Sequence, residues 1–594
     1  METAADRFFQ ATEIIVLLAE HCDTRTLGRL CQTNRFLYSY TTPILWRNID
    51  LLNFSLRQKE AKFAHQFLRL QQRSRYVRSL KIESELLSIF NDNIFDTEER
   101  PEWLPETEGA EDCRIAHFPP FTRLTHLVVS SGEHYVCDRI ATALNSIDFR
   151  CLVRAIGSLS KLKHLDVHFV PSRESWSTAF RTLFICCPES VESLMLKPSR
   201  GGSTRYGFSL EPQEDDLDWD DGPIVLQLRP LPCLKKLILP IFMLIYGPHY
   251  THMLQYCPNL ETLEFVFLEP DFDNIIEALT PAVHQYCKHL RHVYVRQRTL
   301  REGDGKMAKF LEELPTPLET IYFEHFRPNQ FHGLKMFQRH TETLKDIRFL
   351  DMEYILGPMV QEILTKCPNL ERLQLRTVDD ERASGTQLQF LVAEKWASER
   401  IRHLELGVRL DRFDAKDPHY RRKAHSRYSD KDNERWEALE KLYRQIGSLT
   451  QLEVLAMSPI GGCGTTALPQ LMTLGDGAPN RKAYLSWLSE LKNLREVDGM
   501  VRIHHSEIAD TFTKAEGTWI AQNWTKLKRI GFLDYKPQKP KRVRGPGAEA
   551  LNHLIKLKPQ IDLRTREIIN IDDFALDEVP RPDEYMPGMW EMEY

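Results

Sequence analysis

The residues able to do chemistry are scattered along this chain. The one glycine-rich stretch, Gly461-Gly462-Cys463-Gly464-Thr465-Thr466, lacks the lysine of a phosphate-binding loop. It follows a strand-like run ending at Met457, so it reads as a long turn. Cys-x-x-Cys, HExxH and GxSxG spacings do not occur, which leaves zinc sites and hydrolase nucleophiles without support. His504 and His505 are adjacent, and neighbours on a strand point to opposite faces, a poor arrangement for joint metal ligation. With 27% charged residues, carboxylate pairs are too common to single out an acid/base couple. The expectation is a protein that is no enzyme and holds neither metal nor cofactor.

What remains is recognition chemistry. Tyr294, Arg296, Tyr322, Arg348, Arg372 and Arg376 occupy alternate positions of four successive strand-like segments. Tyrosine and arginine are enriched at binding hot spots. Guanidinium groups spaced by one or two strands, about 5 to 10 Å, can grip carboxylates or phosphates on an extended peptide in a bidentate way. Only Glu324 and Asp346 oppose them in these segments, so the expected patch is net positive and its partner is an acidic or phosphorylated protein segment. Tyr294 and Tyr322 would supply apolar contact.

These residues are positioned by a repeat. The pattern apolar-x-x-apolar-x-apolar begins at Leu260, Leu290, Leu318, Leu344 and Leu370, spaced 30, 28, 26 and 26 residues apart. Further copies begin at Val77, Leu124, Leu162, Val191 and Leu234 upstream and at Ile401, Leu452, Leu494 and Leu527 downstream, fourteen in all. Each copy ends in the alternation of a strand with one buried face. Between copies the period becomes helical, as in Phe272, Ile275, Ile276, Leu279 and Val283, or Met359, Val360, Ile363 and Leu364. A strand and a helix per unit of this length stack into a leucine-rich-repeat solenoid, a horseshoe of parallel strands and helices. Cys187, Cys257, Cys287 and Cys367 stand just before the pattern, where each would point into the stack as a small hydrophobe. The repeat resembles the cysteine-containing class of leucine-rich repeats.

The amino terminus departs from this pattern. Thr12 is an expected helix cap, and Ile14, Leu17, Leu18 and His21 follow at helical spacing. A second helix is expected after Asp23-Thr24, with Leu27, Leu30 and Cys31 on one face and Pro43 breaking it before Ile44-Leu45-Trp46. Glu13, Ile14, Leu17, Leu27, Leu30, Arg35, Pro43, Leu45 and Trp46 match the pattern of an F-box, which this segment resembles. Gln10-Ala11 and Thr33-Asn34 stand where that family has Leu-Pro and Val-Cys. An F-box ahead of cysteine-type repeats is similar to the F-box/leucine-rich-repeat proteins, in a divergent form frequent in fungi. The resemblance implies the substrate-recognition subunit of an SCF-type ubiquitin ligase, with no catalytic residues of its own. Ile14, Leu17, Leu18, Leu27, Leu30, Pro43, Leu45 and Trp46 would then dock on a Skp-type adaptor and through it a cullin scaffold. The repeats would hold the protein substrate. The alternative is a leucine-rich-repeat interaction scaffold outside the ubiquitin system.

Composition agrees with a large folded chain: 594 residues, 42% hydrophobic and 10% aromatic. The net charge of −6 argues against a general nucleic-acid or membrane-surface binder. The start carries no signal-peptide pattern, no apolar run is long enough to span a bilayer, and twelve cysteines in such a length are no disulfide framework. The expected setting is soluble, cytoplasmic and/or nuclear. The expected organisation is an α/β protein with an all-α F-box-like module over 1–52, a linker helix over 53–75 and repeats over 76–534. A basic segment and an acidic tail then occupy 535–594. Charged insertions are expected near 211–222, which includes seven acids between Glu211 and Asp221, and 409–435, with nine bases and six acids. The run from Lys536 to Arg544, five bases without an acid, is a candidate nuclear-import signal.

Overall fold

The computed structural model describes residues 12–51, 70, 72–83, 121–130, 155–169, 184, 186–198, 229–241, 253–267, 273–302, 306–327, 335–352, 357–377, 386–409, 430–457, 474, 484–498, 513–532 and 548–565. The insertion near 211–222, the basic run at 536–544, the tail from Asp572 and most of the expected linker helix lie outside these residues. The chain divides into two compact units, Met1–Thr299 with Glu313–Thr316, and Leu300–Glu312 with Pro317–Tyr594. Among the described residues no helix is long and apolar enough to cross a membrane.

The first unit opens with three helices, α1 (Thr12–Glu20), α2 (Thr24–Thr33) and α3 (Arg35–Leu45). Asp23 caps α2 by accepting from the Thr26 N–H at 2.7 Å. The expected single second helix is in fact two. Asn34 is extended at φ −158° and its side chain accepts from the Leu37 N–H at 2.7 Å, which closes α2 and starts α3. Pro43 does not break the helix but lies inside it, because so near the end only one backbone bond is forfeited.

Eight parallel strands then pair in chain order: β1 (Asn48–Asp50), β2 (Ser79–Glu83), β3 (His126–Ser130), β4 (His164–Phe169), β5 (Ser193–Pro198), β6 (Lys236–Ile241), β7 (Thr262–Phe267) and β8 (His292–Glu302). Helix α4 (Asp273–Tyr286) precedes β8 and buries Ile276, Leu279 and Val283 completely. The expected bounds of the helical module, 1–52, take in β1. Yet Ile49 pairs with Leu80, so Trp46-x-x-Ile49-x-Leu51 is a further repeat in register with Val77-x-x-Leu80-x-Ile82. The module therefore continues into the repeats through a shared ladder.

The second unit repeats the scheme. β9 (Thr320–Arg327), β10 (Asp346–Met352), β11 (Arg372–Thr377), β13 (His403–Leu406), β15 (Val454–Met457), β16 (Glu496–Asp498), β17 (Arg529–Phe532) and β18 (Asp562–Thr565) pair in parallel, while β12 (Thr386–Gln387) and β14 (Val408–Arg409) pair apart. The helices are α5 (Lys306–Glu313), α6 (Lys335–Gln338), α7 (Gly357–Lys366), α8 (Leu388–Val392), α9 (Asp430–Gly447), α10 (Lys514–Asn523) and α11 (Ala548–Leu557). α7 buries Met359, Val360, Ile363 and Leu364 completely, a gross gain of about 1.5 to 3 kcal/mol for each side chain. Two expectations change here. The repeats do not end at 534, since β18 pairs with β17 through Ile530 and Leu563. The charged stretch 409–435, expected as an insertion, joins the array at its end, since α9 starts at Asp430.

All fourteen expected copies form strands; in the eleven from Val77 to Ile401 both closing apolar residues are buried, as in Leu263 and Phe265 or Leu373 and Leu375, and in the last three Leu455, Val497 and Ile530 are buried. Each unit is thus a solenoid-like α/β array of leucine-rich character. In five copies the residue just before the pattern ties it to the preceding repeat. Ser190 donates to the Leu162 carbonyl at 2.7 Å, and Asn259 to Pro232 at 2.8 Å. Likewise Thr343 donates to Leu318 at 2.6 Å, Asn369 to Glu342 at 2.8 Å and Asn493 to Thr450 at 3.0 Å. Cys257, Cys287 and Cys367 are fully buried and Cys187 nearly so, as their placement predicted.

Candidate functional site

The first candidate surface is the helical module. Ile15 and Ala19 of α1 face the interior. Ile14, Leu17 and Leu18 on the other side are 48%, 59% and 49% exposed, unusual for branched apolar residues so close together. The remaining residues expected at the adaptor surface are less accessible: Leu27 is buried, and Leu30, Pro43, Leu45 and Trp46 are half-buried. Leu27 holds α2 against its neighbours, and Trp46 fills the first apolar position of the β1 repeat. Arg47 ties the module's ends by donating to Glu20 at 3.1 Å. The structure therefore divides the eight residues into an exposed α1 trio and five that support the fold.

The other candidate residues lie on strand faces, Tyr294 and Arg296 in the first unit and Tyr322, Arg348, Arg372 and Arg376 in the second. In the first unit Tyr294 is half-buried and Arg296 is exposed. Arg296 pairs at 3.0 Å with Glu264, whose side chain is only 5% exposed. In the second unit the register places Thr320, Asp346, Arg372 and His403 in one row and Tyr322, Arg348, Gln374 and Glu405 in the next. Arg348 is bidentate on Asp346, with Nε donating at 2.9 Å and Nη2 at 2.6 Å. Arg372 reaches the same carboxylate at 3.3 Å. Arg376 donates through Nε to the buried Glu405 at 3.2 Å, and Gln374 donates to that carboxylate at 3.2 Å as well.

The expected net positive patch is therefore corrected. Within the second unit Arg348, Arg372 and Arg376 face Asp346, Glu405 and Glu324, three cations against three carboxylates. Tyr322 is also not an open apolar contact. It is buried, and its hydroxyl donates to Glu324 at 2.7 Å. Two acids were missed, and the signal for both was present: Glu264 and Glu405 are the middle residues of the copies starting at Leu260 and Ile401.

Between these charges lies His403. Burial is the main cause that pushes its pKa down to about 4, with Arg372 and Arg348 acting in the same sense against Glu405 and Asp346. The ring is neutral near pH 7. Another histidine, His340, is fully buried and is a staple between repeats. Its Nδ1 accepts from the Leu318 N–H at 3.1 Å and its Nε2 lies 2.9 Å from the Leu311 carbonyl, which selects the neutral Nε2–H form. Burial lowers its pKa too. Among the described residues no group of three or more His, Cys, Asp and Glu is arranged to hold a metal.

Such strand faces of paired charges offer hydrogen bonds and contact area. No family model matches the chain, and no curated protein matches it. Among solved structures a TLR13–ssRNA13 complex matches at a TM-score of 0.29 and 12% identity, covering 76% of this chain and 61% of that chain, a likeness too slight to carry an argument.

Proposed function

We propose that this protein is a substrate-recognition subunit of an SCF-type ubiquitin ligase. In this reading α1 docks on a Skp-type adaptor, and the strand face of the repeats holds a protein substrate. The observation that carries the proposal is the exposed trio Ile14, Leu17 and Leu18, an apolar face left on a helix whose opposite side is already packed. It occurs in the segment whose residues resemble an F-box. The array supplies the other half of the reading, because stacked α/β repeats present a broad, rigid surface for a partner. A substrate at Asp346, Arg348, Arg372, Arg376 and Glu405 must exchange existing ion pairs, which favours a partner carrying both signs of charge.

Co-expression with a Skp-type adaptor tests this. The adaptor should co-purify with the full chain in equal amounts, and Leu17→Asp/Leu18→Asp should abolish the complex while leaving the circular dichroism spectrum unchanged. Failure of the native chain to retain any adaptor would refute the ligase reading and leave an interaction scaffold.

A further inference from the structure

Arginines of the described repeats repeatedly meet a carboxylate, as Arg444 does Glu440 at 2.5 Å, Arg495 does Glu453 at 3.3 Å and Arg529 does Glu496 at 2.9 Å. Two arginines of the first unit are held differently. The Arg73 guanidinium lies 5.5 Å from the centre of the Tyr38 ring, and its Nη2 donates to the Tyr38 hydroxyl. Two residues on, Arg75 lies 4.8 Å from the Tyr76 ring centre, and its Nη2 donates to that hydroxyl at 2.7 Å. Ser74 between them is buried, and Ser74–Tyr76 forms a 3-10 turn, so both side chains spring from a well-anchored backbone. Arg35 is exposed one helical turn before Tyr38, and exposed Arg78 is tied by its N–H to the Arg47 carbonyl at 2.8 Å. Among the described acids of this part of the chain, Glu20 pairs with Arg47, Asp50 with Lys81, and Asp23 caps α2.

We infer that Arg35, Tyr38, Arg73, Arg75, Tyr76 and Arg78 form a docking surface for an Asp/Glu-rich segment of a partner protein. A tyrosine orients a guanidinium without neutralising it, so the remaining N–H donors stay available to carboxylates in the bidentate geometry that arginine favours. Ordering the side chains in advance lowers the entropy lost on binding. Single-stranded nucleic acid fits less well. Bases bind such proteins by stacking on aromatic faces, and here the guanidiniums already lie over those rings. The surface uses none of the α1 trio, so it stands independently of the adaptor reading.

The test titrates the full chain with a fluorescent twelve-residue peptide of alternating Asp and Glu, in 50 mM salt. A matched Asn/Gln peptide and a phosphoserine peptide of equal charge serve as comparisons. Saturable binding of the acidic peptide should weaken at least tenfold in Arg73→Ala/Arg75→Ala and partially in Arg73→Lys/Arg75→Lys, which keeps the charge and loses the fork. Arg25→Ala/Arg29→Ala, which removes equal charge from α2, should change it less than twofold. No binding by the native chain, equal losses in both Ala pairs, or more than tenfold preference for the phosphopeptide or for a single-stranded RNA would each overturn the inference.

Discussion

The identity of single side chains decides how charge is handled in the repeats. Glu405 is almost wholly buried and accepts from Arg376 and Gln374. Removing one partner of a buried pair leaves the other uncompensated, so Glu405→Ala should cost about 3 kcal/mol by urea unfolding. Lys345→Ala, which removes an exposed pair with Glu319, should cost less than about 1 kcal/mol. Equal costs would show that Glu405 is not the buried hub described. The histidines give a pH dependence. Both folded values lie below the ordinary one near 6.5, so folding favours the neutral ring. That contribution is complete above pH 6.5 and is lost as the pH falls, for His403 down to about 4. Native protein should therefore lose more Tm between pH 7 and 4.5 than His403→Gln does, and parallel losses would contradict the assignment. The thiols are quieter still. Burial raises Cys287 and Cys367 to about 12 and Cys257 well above its usual range. All three should resist a disulfide reagent at pH 8 until the protein unfolds, and prompt labelling of them would show they do not line the stack.

At the scale of elements, the chain writes its strands plainly and its ladders obscurely. A copy such as Leu370-x-x-Leu373-x-Leu375 announces a strand because two closing side chains must be buried on every turn of the array. β18 escaped because its pattern is depleted: the register aligns Leu563 with Ile530 but puts Thr565 opposite Phe532. β1 escaped for the opposite reason, since Trp46 also satisfies the helical-module pattern, whose expected bounds of 1–52 take in Ile49. The neutralised strand face was only partly legible, because the acids stand in the repeat pattern but Arg372–Asp346 and Arg376–Glu405 join neighbouring repeats, 26 and 29 residues apart. The hydrogen-bond ladder is a further case. Asn369→Ala should cost about 1 kcal/mol, because its bond to the Glu342 carbonyl and the one it accepts from Arg400 are both exposed to water. Leu373→Ala in the same repeat should cost about 2 to 5 kcal/mol. Comparable values would mean that the ladder, not the core, holds the repeats together. Gly447 shows a tolerance limit: a Cβ there would collide with the Trp487 backbone carbonyl, so α9 needs glycine to approach that turn.

At the scale of the molecule, the first unit opens with a small helical module that shares the first ladder of its repeats. That continuity changes what Trp46 reports. Trp46→Ala should lower stability by about 3 kcal/mol through lost packing, whereas Leu17 and Leu18 should report on binding alone. The measurement that tests the central claim most directly is the calorimetric affinity of the full chain for a Skp-type adaptor, compared with that of Ile14→Ser/Leu17→Ser/Leu18→Ser. The account predicts measurable binding by the native chain and a loss of at least a hundredfold in the triple variant, with Tm shifted by no more than a few degrees, because these side chains already face solvent. Adaptor binding unchanged by the triple substitution would contradict it.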